Sequence, residues 1–394
     1  MNETKERVVK RYIASALSYT LAVGMLHATN GDQMIATGTR SMGMGGAGLA
    51  LSLGAESALM NPALLTKIEE SELSTSLTLF FPSIETAAVG NDYSRSEADI
   101  YPIPSIVYAG RMGERVYGAV GVWGIAGMGV DFSDTKAGSA LMKMQSNLML
   151  MHISSPLAYR DDNGFSIGIA PILQLGVLDI EYSMMGIGGM KSSHPFDMEL
   201  EAGFGARLGL TYDFDNGLTL AAVYRTPISM RYGNSGSGSD LLLEQPAEFG
   251  VGAAYRYGPH SFAFDIKRIE WNHAQGYEDF GWHGQNVYAA GYQYDAGRYS
   301  LRVGYNYARS AVRESRSHWR NYLNLLAFPA TSERHFTAGF SYDISKESDI
   351  DFALVYSPLS KTGATIFEGD YIGDVDILNR HEELSFTIQW NHRF

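Results

Sequence analysis

The chain has 394 residues, of which 45% are hydrophobic and 19% are charged, and its formal net charge is −13. The charged fraction is lower than the roughly 25% that is usual in soluble domains. The many glycine and aromatic residues favour short strands over helices. The acidic balance argues against nucleic-acid binding, because phosphate would be repelled. Since the chain has no cysteine, disulfides, thiol nucleophiles and Cys-ligated metals are excluded.

The first 28 residues have the features of a secretory signal peptide. Basic residues precede an apolar stretch over 13–26, and Leu26 and Ala28 stand where a cleavage site needs small or apolar residues. The apolar stretch is shorter than the roughly 20 residues that a transmembrane helix requires. We therefore expect Sec-type export and a mature chain that begins near Thr29, with a frayed amphipathic helix as the alternative.

Residues 29–70 show no regular alternation of polar and apolar side chains. They are rich in glycine and alanine and carry few charges. Small side chains allow close packing of the backbone. We expect this segment to plug the lumen of a barrel, and a flexible periplasmic tail is the alternative.

From residue 71 onward, apolar and polar residues alternate with period two, which is the pattern of β-strands. The last strand is a clear example, because Phe386, Ile388 and Trp390 share one face while Thr387 and Gln389 share the other. About 14 such runs can be counted. The fold class is therefore predicted to be all-β.

The connections between these runs alternate between short turns and long loops. Short turns such as 160–164 and 213–217 carry the Gly, Asn and Asp residues that tight hairpins need. The long loops are predicted at 82–100, 127–145, 183–198, 231–245, 272–284, 309–333 and 359–382. This parity is typical of outer-membrane barrels. We predict a transmembrane antiparallel β-barrel of about 14 strands over 71–394, and the alternative is a soluble β-sandwich.

The segment GTRSMGMGGAGLAL, followed by SALMNPALL, resembles the N-terminal hatch of the FadL/TodX (OmpP1) family of outer-membrane transporters for long-chain fatty acids and aromatic hydrocarbons. The matching positions are Gly43, Gly45, Gly46, Ala47, Asn61, Pro62 and Ala63. Segments 264–272, 285–294 and 301–308 match as well, so the resemblance covers essentially the whole mature chain. It implies a 14-stranded barrel plugged by the hatch, with a ligand pocket against the hatch.

The resemblance also implies a lateral exit at a kink in the third strand. That strand is predicted at 117–130 and is unusually rich in glycine, which weakens strand pairing and marks bends. Its glycines are Gly118, Gly121, Gly124, Gly127 and Gly129. The alternative is that they only relieve crowding inside the barrel.

Two predicted loops are unusually apolar for surface segments, and the resemblance implies that they form an outer groove for hydrophobic ligands. The candidate ligand contacts are Met184, Met185, Ile187, Leu241, Leu242 and Leu243. Methionine side chains adapt to varied apolar ligands, although packing between the loops would explain them equally well.

A fatty-acid carboxylate would require a cation that points into the lumen. Strand parity gives the candidates Arg207, Arg225, Arg256, Lys267 and Arg302. These residues could instead pair with the inward acids Glu201, Glu248 and Asp265. A neutral hydrocarbon would require no cation at all.

The function predicted from these features is the passive uptake of hydrophobic compounds, above all long-chain fatty acids, with a shift of Asn61–Ala63 as the gate. The alternatives are a general porin for small polar solutes and an aromatic or alkane hydrocarbon channel of the same family. The sequence contains no metal-ligand spacing, nucleophile elbow or nucleotide-binding loop. We therefore expect no enzyme activity, no cofactor and no metal.

The expected partners follow from the barrel and from the end of the chain. The terminal Phe394 resembles the signal by which the barrel-assembly machinery selects its clients. Outer-membrane lipid and lipopolysaccharide are expected to surround the barrel, nucleic acid is not a partner, and the protein is expected to be a monomer.

Overall fold

The computed structural model describes residues 29–88, 92–133, 142–186, 189–233, 240–367 and 375–394. The predicted signal peptide, 1–28, and the candidate Ile187 lie outside the described residues. Within the described ranges, no helix is long and apolar enough to cross a membrane.

Fourteen antiparallel strands form a closed barrel within the described residues. They are β1 (Glu72–Ala88), β2 (Tyr101–Arg111), β3 (Val116–Asp131), β4 (Met142–Ser154 and Leu157–Arg160), β5 (Phe165–Gly186), β6 (Gly189–Asp213), β7 (Leu218–Arg225), β8 (Glu248–Tyr257), β9 (His260–Ile269), β10 (Gln285–Asp295), β11 (Tyr299–Ala308), β12 (Arg334–Asp343), β13 (Ser348–Phe367) and β14 (Val375–Arg393). Each strand pairs with the next, and β14 closes the barrel by pairing with β1 from Arg393↔Glu72 to Ile377↔Ala88. The predicted all-β barrel of 14 strands is confirmed.

The remaining elements are short and lie before the barrel or in its loops. Before β1 come two-residue strands at Thr29–Asn30 and Gln33–Met34, helices α1 (Thr39–Met42) and α2 (Ser57–Met60), and a 3-10 helix at Pro62–Lys67. The loops contain strands Ser94–Arg95, Ile228–Tyr232 and Leu241–Gln245, a 3-10 helix at Trp271–His273, and helix α3 (His318–Leu326).

The alternation of the sequence separates an apolar outer face of the barrel from a polar inner face. On β14, Phe386, Ile388 and Trp390 are 40–41% exposed, whereas Thr387 and Gln389 are 1–2% exposed. Exposed leucine, phenylalanine and tyrosine side chains continue around the other strands. So large an apolar surface is unfavourable in water and fits the hydrocarbon of a bilayer.

Two of the predicted long loops are wrong. Strands β5 and β6 continue through most of 183–198, with Met185 paired to Met190 and Met184 paired to Lys191. Strands β13 and β14 likewise continue through most of 359–382. Polar and methionine residues break the alternation where these hairpins extend beyond the apolar band, but backbone pairing persists because each strand still has a neighbour.

Residues 29–70, called the N-terminal segment from here on, lie inside the barrel. Most residues of this segment are buried. Its contacts reach strands on different sides of the wall: Gly45 lies against Tyr305 of β11, and Pro62 lies against Gly168 of β5. Gly45 has a φ of 70°, and a Cβ there would stand 2.5 Å from the backbone nitrogen of Tyr305, so only glycine fits.

Candidate functional site: a charged cavity beneath a break in the barrel wall

Strand β3 separates from β2 partway along the barrel. Their pairing begins at Arg111↔Tyr117 and ends at Ser105↔Trp123. On its other side β3 stays paired with β4 up to Asp131, with a register shift between Gly124 and Ala126. A bulge at this shift bends the strand, and no residue of β3 after Trp123 pairs with β2.

Two prolines explain why β2 tolerates this loss of pairing. Pro102 and Pro104 pair with Leu79 and Leu77 of β1 in register, but proline has no amide hydrogen to donate to β3. The kink was predicted from the glycines of β3 alone, without the signal that these prolines give. The segment YPIPS, read as an edge strand, would have revealed it.

The N-terminal segment takes the place of β2 at the free edge of β3. Gln33 pairs with Ala126, and the amide of Gly127 donates to the carbonyl of Asp32 over 2.9 Å. The bend therefore lies within the part of β3 for which the sequence predicted a kink.

Four of the five glycines of the predicted kink strand can be compared by their surroundings. Gly124 stands at the register shift and Gly127 contacts the N-terminal segment. Gly118 and Gly121 lie where β3 is still paired with β2. Their role in a lateral exit stays a prediction.

A cavity lies in the lumen at the level of this bend. Its apolar lining includes Met34 and Ile35 of the N-terminal segment and Trp123 and Ile125 of β3. Its volume is about 40 Å³, enough for roughly three water molecules. A long alkyl chain does not fit unless a lining element moves.

Three of the predicted lumenal cations line this one cavity. They are Arg207, Arg225 and Lys267, and Glu248 is the carboxylate that accompanies them. A guanidinium nitrogen of Arg207 lies 3.8 Å from a carboxylate oxygen of Glu248. The lining itself carries three cations and one carboxylate, while Asp32 and Asp265 outside it act electrostatically on Arg225 and Lys267. The three cations can bind an anionic ligand through charge-assisted hydrogen bonds.

The cations also donate to carbonyl groups, which fixes their positions. Arg225 donates to the carbonyl of Pro246 over 3.2 Å, and Lys267 donates to that of Ile35 over 3.4 Å. Arg207 donates to the carbonyls of Leu59 and Met60. These bonds connect the cations to the N-terminal segment and to the loop before β8.

The other two candidate cations lie elsewhere. Arg302 donates to Gln293 over 2.6 Å and to Ser341 over 2.5 Å. Arg256 donates to the carbonyl of Ser52 over 2.8 Å. Strand parity identified the inward-facing cations, but it could not show which of them share a cavity.

A second pocket lies beneath the long loops, and every side chain that lines it is hydrophobic or aromatic. It is about 20 Å³ in volume and is lined by Met128, Leu148, Leu178, Leu241, Leu243, Tyr277, Phe280, Trp282 and Phe328. We call it the outer pocket. Of the predicted groove residues, Leu241 and Leu243 are present, and Leu242 pairs with Arg231 without lining the pocket. The structure places the backbones of Met184 and Met185 in β5.

Four polar side chains connect the outer pocket to the N-terminal segment, and we call them the polar bridge. Tyr277 and Gln245 both donate to the carboxylate of Asp32, the latter over 2.8 Å, and Gln33 donates to Gln245 over 3.0 Å. Burial raises the pKa of Asp32 to about 6, although the hydrogen bonds from Tyr277 and Gln245 oppose the shift. Tyr277 thus belongs to both the outer pocket and the bridge.

A different set of contacts, the ionic anchor, holds the middle of the N-terminal segment. Arg40 contacts Asp349 over 2.5 Å and Asp351 over 2.9 Å, both on β13. Glu56 accepts the amide hydrogens of Thr39 and Arg40 over 3.0 and 2.9 Å. Burial and the charge of Asp351 raise the pKa of Glu56 to about 7, against the opposing charge of Arg40.

The predicted hatch residues Asn61, Pro62 and Ala63 lie at the far end of the segment. The side chain of Asn61 accepts from the amide of Ala63 over 3.0 Å and donates to the carbonyl of Leu49 over 2.8 Å. Pro62 begins the 3-10 helix that packs on β5 and β6. Gating by these residues stays a prediction.

Comparison with known structures identifies the fold. A Pseudomonas aeruginosa FadL homologue is 14% identical with a TM-score of 0.74 and covers 93% of this chain and 100% of its own. The toluene transporter TodX of P. putida is 18% identical with a TM-score of 0.70, over 91% and 99% of the two chains. The toluene transporter TbuX of Ralstonia pickettii is 18% identical with a TM-score of 0.68, over 91% and 98% of the two chains.

Comparison with family models and curated proteins gives independent evidence on the family of this protein. No curated protein matches the chain. A Gram-negative porin model matches residues 184–361. The model of the outer membrane protein transport proteins (OMPP1/FadL/TodX) matches residues 20–255. Since this match covers more than half of a chain that folds as a 14-stranded barrel, the protein belongs to the OMPP1/FadL/TodX family of outer-membrane transport proteins.

Proposed function

We propose that the protein takes up hydrophobic carboxylates, with long-chain fatty acids as the substrate class. The observation that carries this proposal is the convergence of Arg207, Arg225 and Lys267 on a cavity that contains one carboxylate, Glu248. A guanidinium or ammonium group binds a carboxylate through charge-assisted hydrogen bonds. The apolar lining on the other side of the cavity, including Met34 and Trp123, would hold the start of the alkyl chain.

The path of the ligand through the protein would follow the order of the outer pocket, the cavity and the edge between β2 and β3. The apolar outer pocket would capture the chain, and displacement of residues 29–37 would open the cavity, which is too small at rest. The unpaired edge between β2 and β3 would then release the ligand sideways into the bilayer. This movement down a concentration gradient needs no nucleotide.

Each of the three parts of the chain would have its own role in export or transport. Residues 1–28 would be removed after export, the N-terminal segment 29–70 would gate the lumen, and residues 71–394 would form the wall. We propose that residues 29–37 move to open the cavity, and that the predicted shift of Asn61–Ala63, which pack on β5 and β6, completes the gate. Phe394 would serve the assembly machinery.

Binding of paired ligands to the purified protein tests the carboxylate site. Oleate and oleyl alcohol have the same chain, so they differ only in charge at the head group. We expect Arg225→Gln and Lys267→Gln each to weaken oleate binding about tenfold or more and to leave oleyl alcohol binding within twofold. Arg111→Gln, an exposed cation in a short turn, is the matched control. Equal losses for both ligands would contradict the proposal.

The second candidate is a channel for neutral aromatic hydrocarbons, which the uncharged lining of the outer pocket favours. Two of the similar structures are described as toluene transporters. In that case toluene uptake by cells would exceed oleate uptake. Neither Arg225→Gln nor Lys267→Gln would change the uptake of toluene. Uptake of toluene and oleate by cells that carry the same Arg225→Gln and Lys267→Gln variants therefore separates the two candidates.

A further inference from the structure

Four polar side chains form a row on the outside of the barrel, at the long-loop ends of β9 to β12. Arg268 on β9 is paired with Asn286 on β10. Ala308 on β11 is paired with Val287 on β10. Because the two strands are antiparallel, Arg309, the residue after Ala308, lies opposite Asn286. Arg334 on β12 is paired with Tyr307. Arg309 and Arg334 are exposed.

The surface directly below this row is apolar. The next outward side chain toward the middle of the barrel is apolar or aromatic on each strand. It is Ile266 below Arg268, Tyr307 below Arg309 and Phe336 below Arg334. Tyr305 is 37% exposed and Phe336 is 52% exposed, with 5.2 Å between their ring centres. The row therefore lies where the lipid-facing band of the barrel ends, at the level of lipid head groups.

The arginines of this region outnumber the nearby acids. Residues 309–334 contain five arginines and two glutamates, in a chain with a net charge of −13. Arg268 pairs with Glu270 over 2.9 Å, but Arg309 and Arg334 form no ion pair within the part of the chain that the structure describes. Burial lowers the pKa of Arg313, and the nearby charge of Arg309 lowers it further.

Another outward cation at the same end of the barrel has a partner. Arg380 on β14 lies 3.4 Å from the carboxylate of Glu85 and stacks on the ring of Tyr93 at 3.8 Å. The excess charge is therefore local to β11, β12 and the loop between them.

We propose that Arg309 and Arg334, supported by Arg268 and Arg313, bind the phosphate groups of an anionic outer-leaflet lipid with the chemistry of lipid A. Guanidinium groups bind phosphate through paired hydrogen bonds. The acyl chains of the same lipid lie along Tyr305 and Phe336 below. Free phosphate shares the head-group chemistry but lacks the acyl chains, so the two ligands can be told apart.

Titration of the full-length, detergent-solubilised protein with diphosphoryl lipid A tests this site, with binding followed by native mass spectrometry. The variant is Arg309→Gln/Arg334→Gln, and Arg111→Gln/Arg115→Gln is the control with the same charge change at the short-turn end. We expect the variant to bind lipid A at least tenfold more weakly and the control to stay within twofold. Equal affinity of the variant and the wild-type protein would overturn the proposal.

Two further ligands define what is recognised. Lipid A without its phosphates should bind the wild-type protein as weakly as diphosphoryl lipid A binds the variant, and equal binding of both lipids overturns the phosphate assignment. Inorganic phosphate should fail to compete at millimolar concentration, and full competition overturns the lipid assignment. Retention of the heat-modifiable band on a gel shows that each variant is folded.

Discussion

Two parts of the N-terminal segment, residues 32–34 and the middle around Arg40, are held in the lumen by different kinds of contact. The ionic anchor binds Arg40 to two carboxylates of β13, whereas the polar bridge and one strand-like pairing hold residues 32–34. Breaking a buried ion pair costs about 3–5 kcal/mol, and leaving a buried polar group without its partner costs about 1–3 kcal/mol. We therefore expect the part at the anchor to stay fixed and the part at the bridge to be the one that opens.

The largest expected effect is at the anchor. Arg40→Leu would leave Asp349 and Asp351 buried without their main counter-charge and should lower the free energy of unfolding by about 3–5 kcal/mol. Denaturant unfolding in detergent measures this loss. Arg115→Leu removes an exposed ion pair with Asp162 and should change stability by less than about 1 kcal/mol. A small effect of Arg40→Leu would remove the distinction between the anchor and the bridge.

An intermediate effect is expected at the bridge. Tyr277→Phe removes one of the hydrogen bonds to Asp32 and should favour local opening by about 1–3 kcal/mol. Hydrogen exchange should become about tenfold faster or more at the amides of residues 32–36 and remain unchanged at residues 40–43. Tyr322→Phe, in a loop helix, is the control. Equal acceleration at both places would show that the segment opens as one unit.

The smallest effect is a pH dependence that comes from Glu56. Its pKa of about 7 in the folded protein exceeds the ordinary 4.5, so the folded state binds more protons between these values. The resulting stability is present at pH 4.5 and is lost as the pH rises through 7. The raised pKa of Asp32, about 6, likewise lowers the stability of the folded protein as the pH rises to about 6.

The variant Glu56→Gln cannot titrate and should lose the Glu56 part of this dependence. Unfolding midpoints measured at pH 5, 6, 7 and 8 should fall less steeply for Glu56→Gln than for the wild-type protein. Identical slopes would mean that Glu56 is already ionised at low pH, as an exposed carboxyl would be.

Strand identity and face could be predicted from the sequence because they depend on local alternation. On β14 the exposed residues are those that the sequence places on the apolar face, such as Phe386 and Ile388. The ends of β5 and β6 could not be predicted, because pairing between neighbours holds them as strands after the alternation ends. The types of residue in the two strands do not show whether their ends are paired with each other.

The site could be predicted only in part, since it depends on contacts between distant segments. Parity placed Arg207, Arg225 and Lys267 in the lumen, but their shared cavity depends on barrel geometry. The polar bridge joins Asp32 to Tyr277, 245 residues away, and no sequence spacing could indicate it. The break beside β3 combines predicted glycines with prolines of β2 that the sequence analysis overlooked.

The central claim is that residues near Gln33 must leave β3 before a ligand can pass. Gln33 and Ala126 are directly opposed in an antiparallel pair, so their Cα atoms are about 4.5–5.5 Å apart, a spacing that a disulfide can bridge. Because the chain has no cysteine, Gln33→Cys/Ala126→Cys gives a single defined cross-link. Thr78→Cys/Thr387→Cys, within the closed wall, is the control.

Oleate uptake by cells that carry each pair, measured before and after reduction, tests the claim most directly. The account predicts that the oxidised Gln33→Cys/Ala126→Cys protein does not transport and that reduction restores uptake, while the control transports in both states. Equal uptake by the oxidised and reduced forms of the first pair would contradict it.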